Sequence, residues 1–394
     1  SRDPDAATIV TAGTGSGKTL SFYLPALMRI GELIQANQYW VKAIAIYPRI
    51  ELLKDQLSEA FFRARLLDAT LVGDGRRPIT VGALFGSTPK RADKQSLQNA
   101  KWKWVPRSNS YVCPWFKCPH CNGDLTWQED DIAQQVERLI CANVQCRQSI
   151  DSNRLVLTRN RLVSHPPDIL FTTTEMLNQR MSDLAMRKVF GIGVLNQQKP
   201  VFALLDEVHT YVGTSGAQAA LVLRRWRHLI GVPVTWCGLS ATLQESVRFF
   251  ADLTGVAKDN VVEVTPAFNE LVEEGADYQA ILRGDPTLQA SVLSTTIQAA
   301  ILTARMMDTQ VNGRSFNRFG KRVFVFTDDL DVTNRLFDNL RDAEAYNIFG
   351  NPDNGRFPLA ALRARPREDD SRREAEGQRW WAAERIGRNL ADRL

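Results

Sequence analysis

Ala7-Thr8-Ile9-Val10-Thr11-Ala12-Gly13-Thr14-Gly15-Ser16-Gly17-Lys18-Thr19 is the stretch on which the fold turns. A short apolar strand (Ala7 to Val10) runs into a loop with glycine at every second position, and Leu20 to Gln35 then reads as a helix. Gly13, Gly15 and Gly17 let the backbone turn so that successive N–H groups point at phosphate oxygens. The helix N-terminus behind them adds its partial positive charge. In this frame Thr14 and Ser16 complete the loop, Lys18 reaches the β and γ phosphates, and the Thr19 hydroxyl ligates Mg²⁺. The loop therefore calls for a nucleoside triphosphate such as ATP, and leaves open what the phosphate energy drives.

Working outward, Ala43 to Tyr47, Val201 to Leu205 and Val234 to Leu239 are further apolar strands, and Leu52 to Leu66 is a helix. Strands alternating with helices predict an α/β fold, a parallel sheet with helices on both faces. The third strand ends in Asp206-Glu207-Val208-His209 and the fourth in Ser240-Ala241-Thr242. Strand C-termini are where an open α/β sheet presents ligand-facing groups. Asp206 is placed to hold Mg²⁺ through water, Glu207 to orient and deprotonate the attacking water, and Ser240 and Thr242 to hydrogen-bond the acidic motif. Lys18, Asp206, Glu207 and His209 form the candidate catalytic set.

In this order the three motifs resemble the DExH branch of the superfamily 2 helicases, whose motor is a pair of RecA-like domains. Tyr47-Pro48-Arg49-Ile50-Glu51-Leu52 resembles the family's Pro-Thr-Arg-Glu-Leu motif, which grips the nucleic-acid backbone. Gly86-Ser87-Thr88 resembles a further backbone-contact turn, and Pro167-Asp168-Ile169-Leu170-Phe171-Thr172-Thr173-Thr174-Glu175 the later Thr-Pro-Glu-type motif. The resemblance implies nucleic-acid contacts at Pro48, Arg49, Gly86, Ser87, Thr173, Thr174 and Glu175. It also implies ATP-dependent unwinding of, or translocation on, DNA that is single-stranded or carries a single-stranded end. A nucleotide-switched clamp that binds DNA or a partner without strand separation would use the same motifs.

His209 to Gly216, followed by Leu221 to Arg225, is similar to the MrfA-like branch. Glu274-Gly275, Tyr278, Leu282 to Pro286 and Leu293 to Gln298 look most like the DrmA family of DISARM anti-phage helicase subunits. This resemblance implies bacterial anti-phage defence beside a partner subunit. Residues 1–255 are then a first RecA-like domain, 256–317 a helical connector, and 318–394 the start of a second, opening on a strand at Val323 to Phe326. The adenine-recognition motif and the Gln-x-x-Gly-Arg-x-x-Arg finger motif are absent from the chain. It reads as a piece of a larger protein, weak in ATP hydrolysis alone.

Residues 101–153 break the strand–helix rhythm and hold five of the six cysteines. Cys118-Pro119-His120-Cys121 and Cys141 with Cys146 make two knuckles, the donor set of a structural tetrahedral Zn²⁺ site. The second knuckle is wider than usual, so Cys113 or His120 could substitute, and buried reduced cysteine is the plain alternative. Cys237 reads as a core residue. Beside the knuckles, Lys101, Trp102, Lys103, Trp104, Arg107, Tyr111, Trp115, Phe116 and Lys117 interleave cations with aromatics, which fits either base stacking or a small core. Arg224, Arg225 and Arg227 read first as a solvated helix face.

Against 44 acidic residues the 49 basic ones give only +5, which permits nucleic acid without arguing for it. A hydrophobic share of 44% with 24% charged residues argues against global disorder. No apolar run has the length of a membrane span and no signal-peptide pattern opens the chain, so the expectation is a cytoplasmic protein without a membrane partner.

Overall fold

The computed structural model describes residues 5–12, 18–241, 243–267, 281, 292–306, 310–311, 314–315, 323–327, 329–343, 346–347 and 351. Two compact units divide at Val272/Glu273.

In chain order the first unit runs β1 (Ala7–Thr11), α1 (Lys18–Leu33), β2 (Ala43–Tyr47), α2 (Ile50–Leu66), α3 (Asp68–Gly73), β3 (Val81–Leu84) and α4 (Lys94–Asn99). A second run of short strands follows: β4 (Lys103–Val105), β5 (Ser110–Lys117), β6 (Asp124–Gln128), β7 (Leu139–Cys141) and β8 (Ser149–Ile150), with α5 (Glu129–Ala133) after β6. The main rhythm resumes with β9 (Leu155–Val156), α6 (Arg159–Ser164), β10 (Ile169–Thr173), α7 (Thr174–Arg180), β11 (Phe202–Leu205), α8 (Gly213–Ile230), β12 (Thr235–Ser240), α9 (Ser246–Thr254) and β13 (Val261–Val264).

Eight of these strands form one sheet in the order β13-β1-β12-β11-β2-β10-β3-β9, every pairing parallel. This is the expected α/β, RecA-like arrangement. Alternation along each strand sends successive side chains to opposite faces. Ala43, Ala45 and Tyr47 pack with Phe171, Tyr23 of α1 and Leu57 and Phe61 of α2. Ile44 and Ile46 pack on the other side with Leu170, Leu205, Trp236, and Leu223 and Trp226 of α8. Both faces are covered, which is why these strands read as unbroken apolar runs. β13 lies beyond residue 255, where the sequence put the end of this domain, and pairs with β1 as the sheet's edge.

At the strand starts, Asp168 is fully buried and saturated. Its Oδ1 accepts from Lys42 Nζ (2.7 Å) and Arg77 Nη2 (2.8 Å), and its Oδ2 from Arg77 Nη1 (2.5 Å) and the Thr80 N–H (2.8 Å). This cluster pins β2, β3 and β10 at the edge opposite the motifs.

The strands β4 to β8 make a separate five-stranded antiparallel sheet. Its inner face is not a nucleic-acid platform. Trp102, Tyr111, Trp115, Phe116 and Trp127 are all buried and share the core of α1 and α2. Phe116 packs on Phe61 with ring centroids 4.6 Å apart, and Trp115 on Phe85 at 5.1 Å. The core reading of these aromatics holds, since each buried ring removes apolar surface worth roughly 2 to 3 kcal/mol. The arginines of α8 also hold the fold together: Arg227 pairs with Asp5 and donates to the Gly255 carbonyl (2.6 Å), Arg224 donates to the Asp252 carbonyl, and Arg225 to Ser182 Oγ (3.1 Å).

The second unit contains α10 (Val292–Met306), a two-stranded antiparallel pair β14 (Gln310–Val311) and β15 (Arg314–Ser315), and α11 (Leu330–Ala343). Val323 to Phe326 is not a strand. Among the described residues no segment pairs with it, and Phe324 and Phe326 are 75% and 90% exposed. Leu293 to Gln298 lies on α10, whereas Glu274, Gly275, Tyr278, Leu282 to Pro286, and Trp380 and Trp381 lie outside the described residues.

Candidate functional site

Strand order places the motif-bearing strands in two neighbouring groups at the C-terminal edge of the sheet. β1, β12 and β11 are adjacent, and they lead to the Gly-rich loop, Ser240 and Asp206 respectively. Ala12 donates its N–H to the Ser240 carbonyl (3.3 Å), so the residue that follows β1 is tied to the end of β12. Gly13, Thr14, Gly15, Ser16, Gly17 and Thr242 lie outside the described residues; Lys18 and Thr19 open helix α1, as expected for a loop that ends on a helix N-terminus.

Asp206 is buried, 7% exposed, and its Oδ1 accepts from the Glu207 N–H (2.8 Å). Glu207 has φ +50° and ψ +45°, left-handed backbone that a residue with a Cβ adopts at a cost of roughly 1 to 2 kcal/mol. That kink turns the chain out of β11. The Glu207 carbonyl closes the turn by accepting from the Thr210 N–H (2.8 Å) and Oγ1 (2.7 Å). His209 Nδ1 then lies 3.4 Å from Glu207 Oε2 and 3.4 Å from Ser240 Oγ. The imidazole thus stands between Glu207 and the end of β12.

Beneath these strand ends Tyr23 and Tyr47 are fully buried with their hydroxyls hydrogen-bonded to each other. Burial above all holds both phenols well above their usual range, and the nearby Asp206 charge adds to it. Tyr211 is raised in the same way and lies against α8. A Cβ on Gly216 would sit 2.1 Å from the Tyr211 carbonyl oxygen, so only glycine lets α8 start this close to the acidic turn. Neither tyrosine layer was foreseen; each is an isolated aromatic in sequence.

The second group is β2, β10 and β3, again adjacent. Their ends carry Pro48 and exposed Arg49, Thr173 with Thr174 and Glu175, and Gly86 with Ser87. Arg49 is the N-cap of α2, and Thr173 Oγ1 caps α7 by accepting from the Met176 N–H (3.2 Å). Glu175 is exposed and accepts from Gln179 Nε2 (3.0 Å). The Gly86 turn is held from the insertion side: Trp102 Nε1 donates to the Ser87 carbonyl (3.2 Å), and Arg159 Nη2 to the Gly86 carbonyl (3.3 Å). Motifs some 40 and 90 residues apart in the chain thereby share one edge.

The sulfurs of Cys118, Cys121, Cys141 and Cys146 all lie within 4.8 Å of one another. The pairs Cys118–Cys146 and Cys121–Cys141 are 3.7 and 3.4 Å apart. Four thiolates around one tetrahedral Zn²⁺ at about 2.3 Å would be roughly 3.8 Å apart, so the donor set fits a metal. Each knuckle is a tight turn. Asn122 donates its N–H to the Cys118 carbonyl (2.8 Å), and Cys146 and Arg147 donate theirs to Asn143 (3.0 and 2.9 Å). A Cβ at Gly123 would press to 3.2 Å on Cys121 Sγ. His120 Nδ1 is 3.8 Å from Cys146 Sγ but is not one of the four, and Cys113 is buried in the aromatic core with its thiol pushed up to about 12. Cys237 is likewise packed against the main core.

Among the described residues no helix is long and apolar enough to cross a membrane.

The sequence model of the DEAD/DEAH box helicases matches residues 4–104. Druantia protein DruE of Escherichia coli is 25% identical over 300 residues, which cover 64% of this chain and 16% of DruE. The Lhr helicase/probable uracil glycosylase of Mycolicibacterium smegmatis is 30% identical over 105 residues, covering 26% of this chain and 6% of that protein. The crystal structure of the DUF1998 helicase MrfA bound to DNA is 17% identical and superposes with a TM-score of 0.38, covering 66% of this chain and 25% of MrfA. The chain thus spans about a sixth or less of the length of these curated relatives. The match at residues 4–104 takes in the Gly-rich loop and the first two nucleic-acid motifs, so this part of the chain is similar to the DEAD/DEAH box helicases.

Proposed function

We propose that this chain is the ATP-binding part of an ATP-driven DNA motor, unwinding or translocating, that serves in bacterial anti-phage defence. The observation that supports it most is the adjacency of β1, β12 and β11, with His209 between Glu207 and Ser240. In this reading Gly13 to Gly17 and Lys18 cradle the phosphates, and Thr19 and Asp206 hold Mg²⁺. Glu207 takes the proton of the attacking water. His209 reports the state of Glu207 to Ser240 and so to the start of the phosphate loop, since Ala12 donates to the Ser240 carbonyl. DNA runs across Pro48, Arg49, Gly86, Ser87, Thr173, Thr174 and Glu175.

Zn²⁺ is assigned to Cys118, Cys121, Cys141 and Cys146 as a structural ion. A closed four-thiolate shell leaves no position for a substrate, and its effect is to join the β5–β6 and β7–β8 turns. The defence role and a partner subunit follow the resemblance to anti-phage helicase subunits, and the chain is also similar to Druantia protein DruE; the DrmA resemblance falls largely on residues outside those described. A cytoplasmic location goes with this reading.

Two assays on the intact protein test it together. ATP-dependent displacement of a DNA strand marks unwinding, and ATP-dependent removal of streptavidin from a biotinylated end marks translocation. Nucleotide-dependent DNA binding with neither activity would leave a clamp.

A further inference from the structure

The Gly86 turn forms one wall of a recess of about 380 Å³ whose charged lining residues belong to no motif. Gly86, Lys90, Arg91, Ser96, Asn99 and Arg159 are among the residues lining it. Three cations face one carboxylate, and that carboxylate is already used: Asp93 Oδ1 accepts from the Ser96 N–H (2.7 Å) and Oδ2 from Ser96 Oγ (3.1 Å). Lys90 and Arg91 are exposed and form no ion pair among the described residues. Arg159 reaches the Gly86 carbonyl only at 3.3 Å, and its Nε is buried without an acceptor. Burial and then the neighbouring Arg180 guanidinium hold the Arg159 side chain below its usual pKa. A guanidinium so placed gains from an anion.

The walls are built. Arg159 and Asn160 donate their N–H groups to the carbonyls of Pro89 (2.9 Å) and Lys90 (3.1 Å), tying α6 to the loop. Buried Glu137 of the insertion accepts from the Leu157 N–H (2.6 Å), the Thr158 N–H (3.1 Å) and Thr158 Oγ1 (2.6 Å), fixing the residue before Arg159. Trp102 fixes Ser87 from the same side. The insertion therefore shapes this recess, and with it the end of β3.

We infer that the recess is a phosphate-binding subsite, in which Arg159, Lys90 and Arg91 hold one backbone phosphodiester of a bound nucleic-acid strand. The inference rests on the nucleic-acid reading above and extends it to residues outside the motifs. Its position supports the strand over a free anion: the recess opens at the end of β3, next to β10 and one strand further from β2, so a phosphate there continues the row of motif-bearing strand ends.

The test is binding of a fluorescein-labelled single-stranded oligonucleotide to the whole chain, followed by anisotropy between about 50 and 200 mM salt. Each lost phosphate contact lowers the slope of log K against log salt by about 0.7. Because the three cations share one phosphate, Arg159→Gln and Lys90→Ala/Arg91→Ala should each lose up to about that much, and Arg159→Lys should keep most of the wild-type slope. Nucleotide affinity should be unchanged in all three. Wild-type slope and affinity in both charge-removing variants would overturn the subsite and leave the motor reading standing. No salt-dependent binding by the wild type would overturn both. Displacement of the oligonucleotide by millimolar inorganic phosphate at constant ionic strength, lost in Arg159→Gln, would assign the recess to free phosphate instead. Lys90 and Arg91 are exposed, so their removal does not threaten folding.

Discussion

Ser240 Oγ and His209 Nδ1 lie 3.4 Å apart, joining the ends of two neighbouring strands that each carry part of the candidate ATP site. If this contact transmits the state of the acidic motif, the two residues act as a unit. Ser240→Ala and His209→Ala should each lower ATP turnover by roughly tenfold, and the double variant should fall no further than the worse single one. Losses that multiply would mean that the two act separately. Steady-state turnover of the intact protein measures this.

Gly216 gives a stability prediction on the same turn. Gly216→Ala places a methyl 2.1 Å from the Tyr211 carbonyl and must displace the start of α8, costing about 2 to 4 kcal/mol. Gly213→Ala meets no atom within 4 Å, though its φ is +62°, and should cost only about 1 kcal/mol. Urea denaturation of the two variants separates steric from conformational cost; equal losses would contradict the packing described.

At the far edge of the sheet, Asp168→Asn leaves Lys42 and Arg77 buried without their counter-charge. The expected loss is about 3 to 5 kcal/mol, with DNA and nucleotide affinities of the folded fraction unchanged. A loss under about 1 kcal/mol would show that water reaches this cluster.

The knuckles predict about one zinc per chain. Cys118→Ser/Cys121→Ser should lose the metal and melt earlier, whereas Cys113→Ser should keep it. Zinc should also be released as pH falls, because the ligands are thiolates and protons compete for them. Metal analysis across a pH series checks all three; zinc-free protein with unchanged melting in the double variant would return the cysteines to ordinary buried thiols.

Much of this architecture was legible in sequence. β1, β2, β11 and β12 were located within one or two residues, because burial on both faces writes them as apolar runs. β13 was missed for the opposite reason: three of its four residues are exposed at the edge of the sheet. The four zinc-type cysteines were identified by spacing and are found together. The tryptophans could not be settled from sequence, since Trp102, Trp115 and Trp127 are distant in the chain and become a core only when β5 and β6 pair. The same holds for Arg159 and Glu137, whose roles depend on contacts across some 20 to 70 residues. Val323 to Phe326 has a strand's composition without a partner strand among the described residues, and composition alone misled there.

In the proposed ATP site Lys18 holds phosphate and Glu207 handles the attacking water. Equilibrium binding of a fluorescent ATP analogue with Mg²⁺ to three forms of the chain tests this without requiring turnover. Wild type and Glu207→Gln should bind with similar affinity, and Lys18→Ala should bind at least tenfold more weakly. Equal affinity in wild type and Lys18→Ala would contradict the assignment of the phosphate loop, and with it the motor.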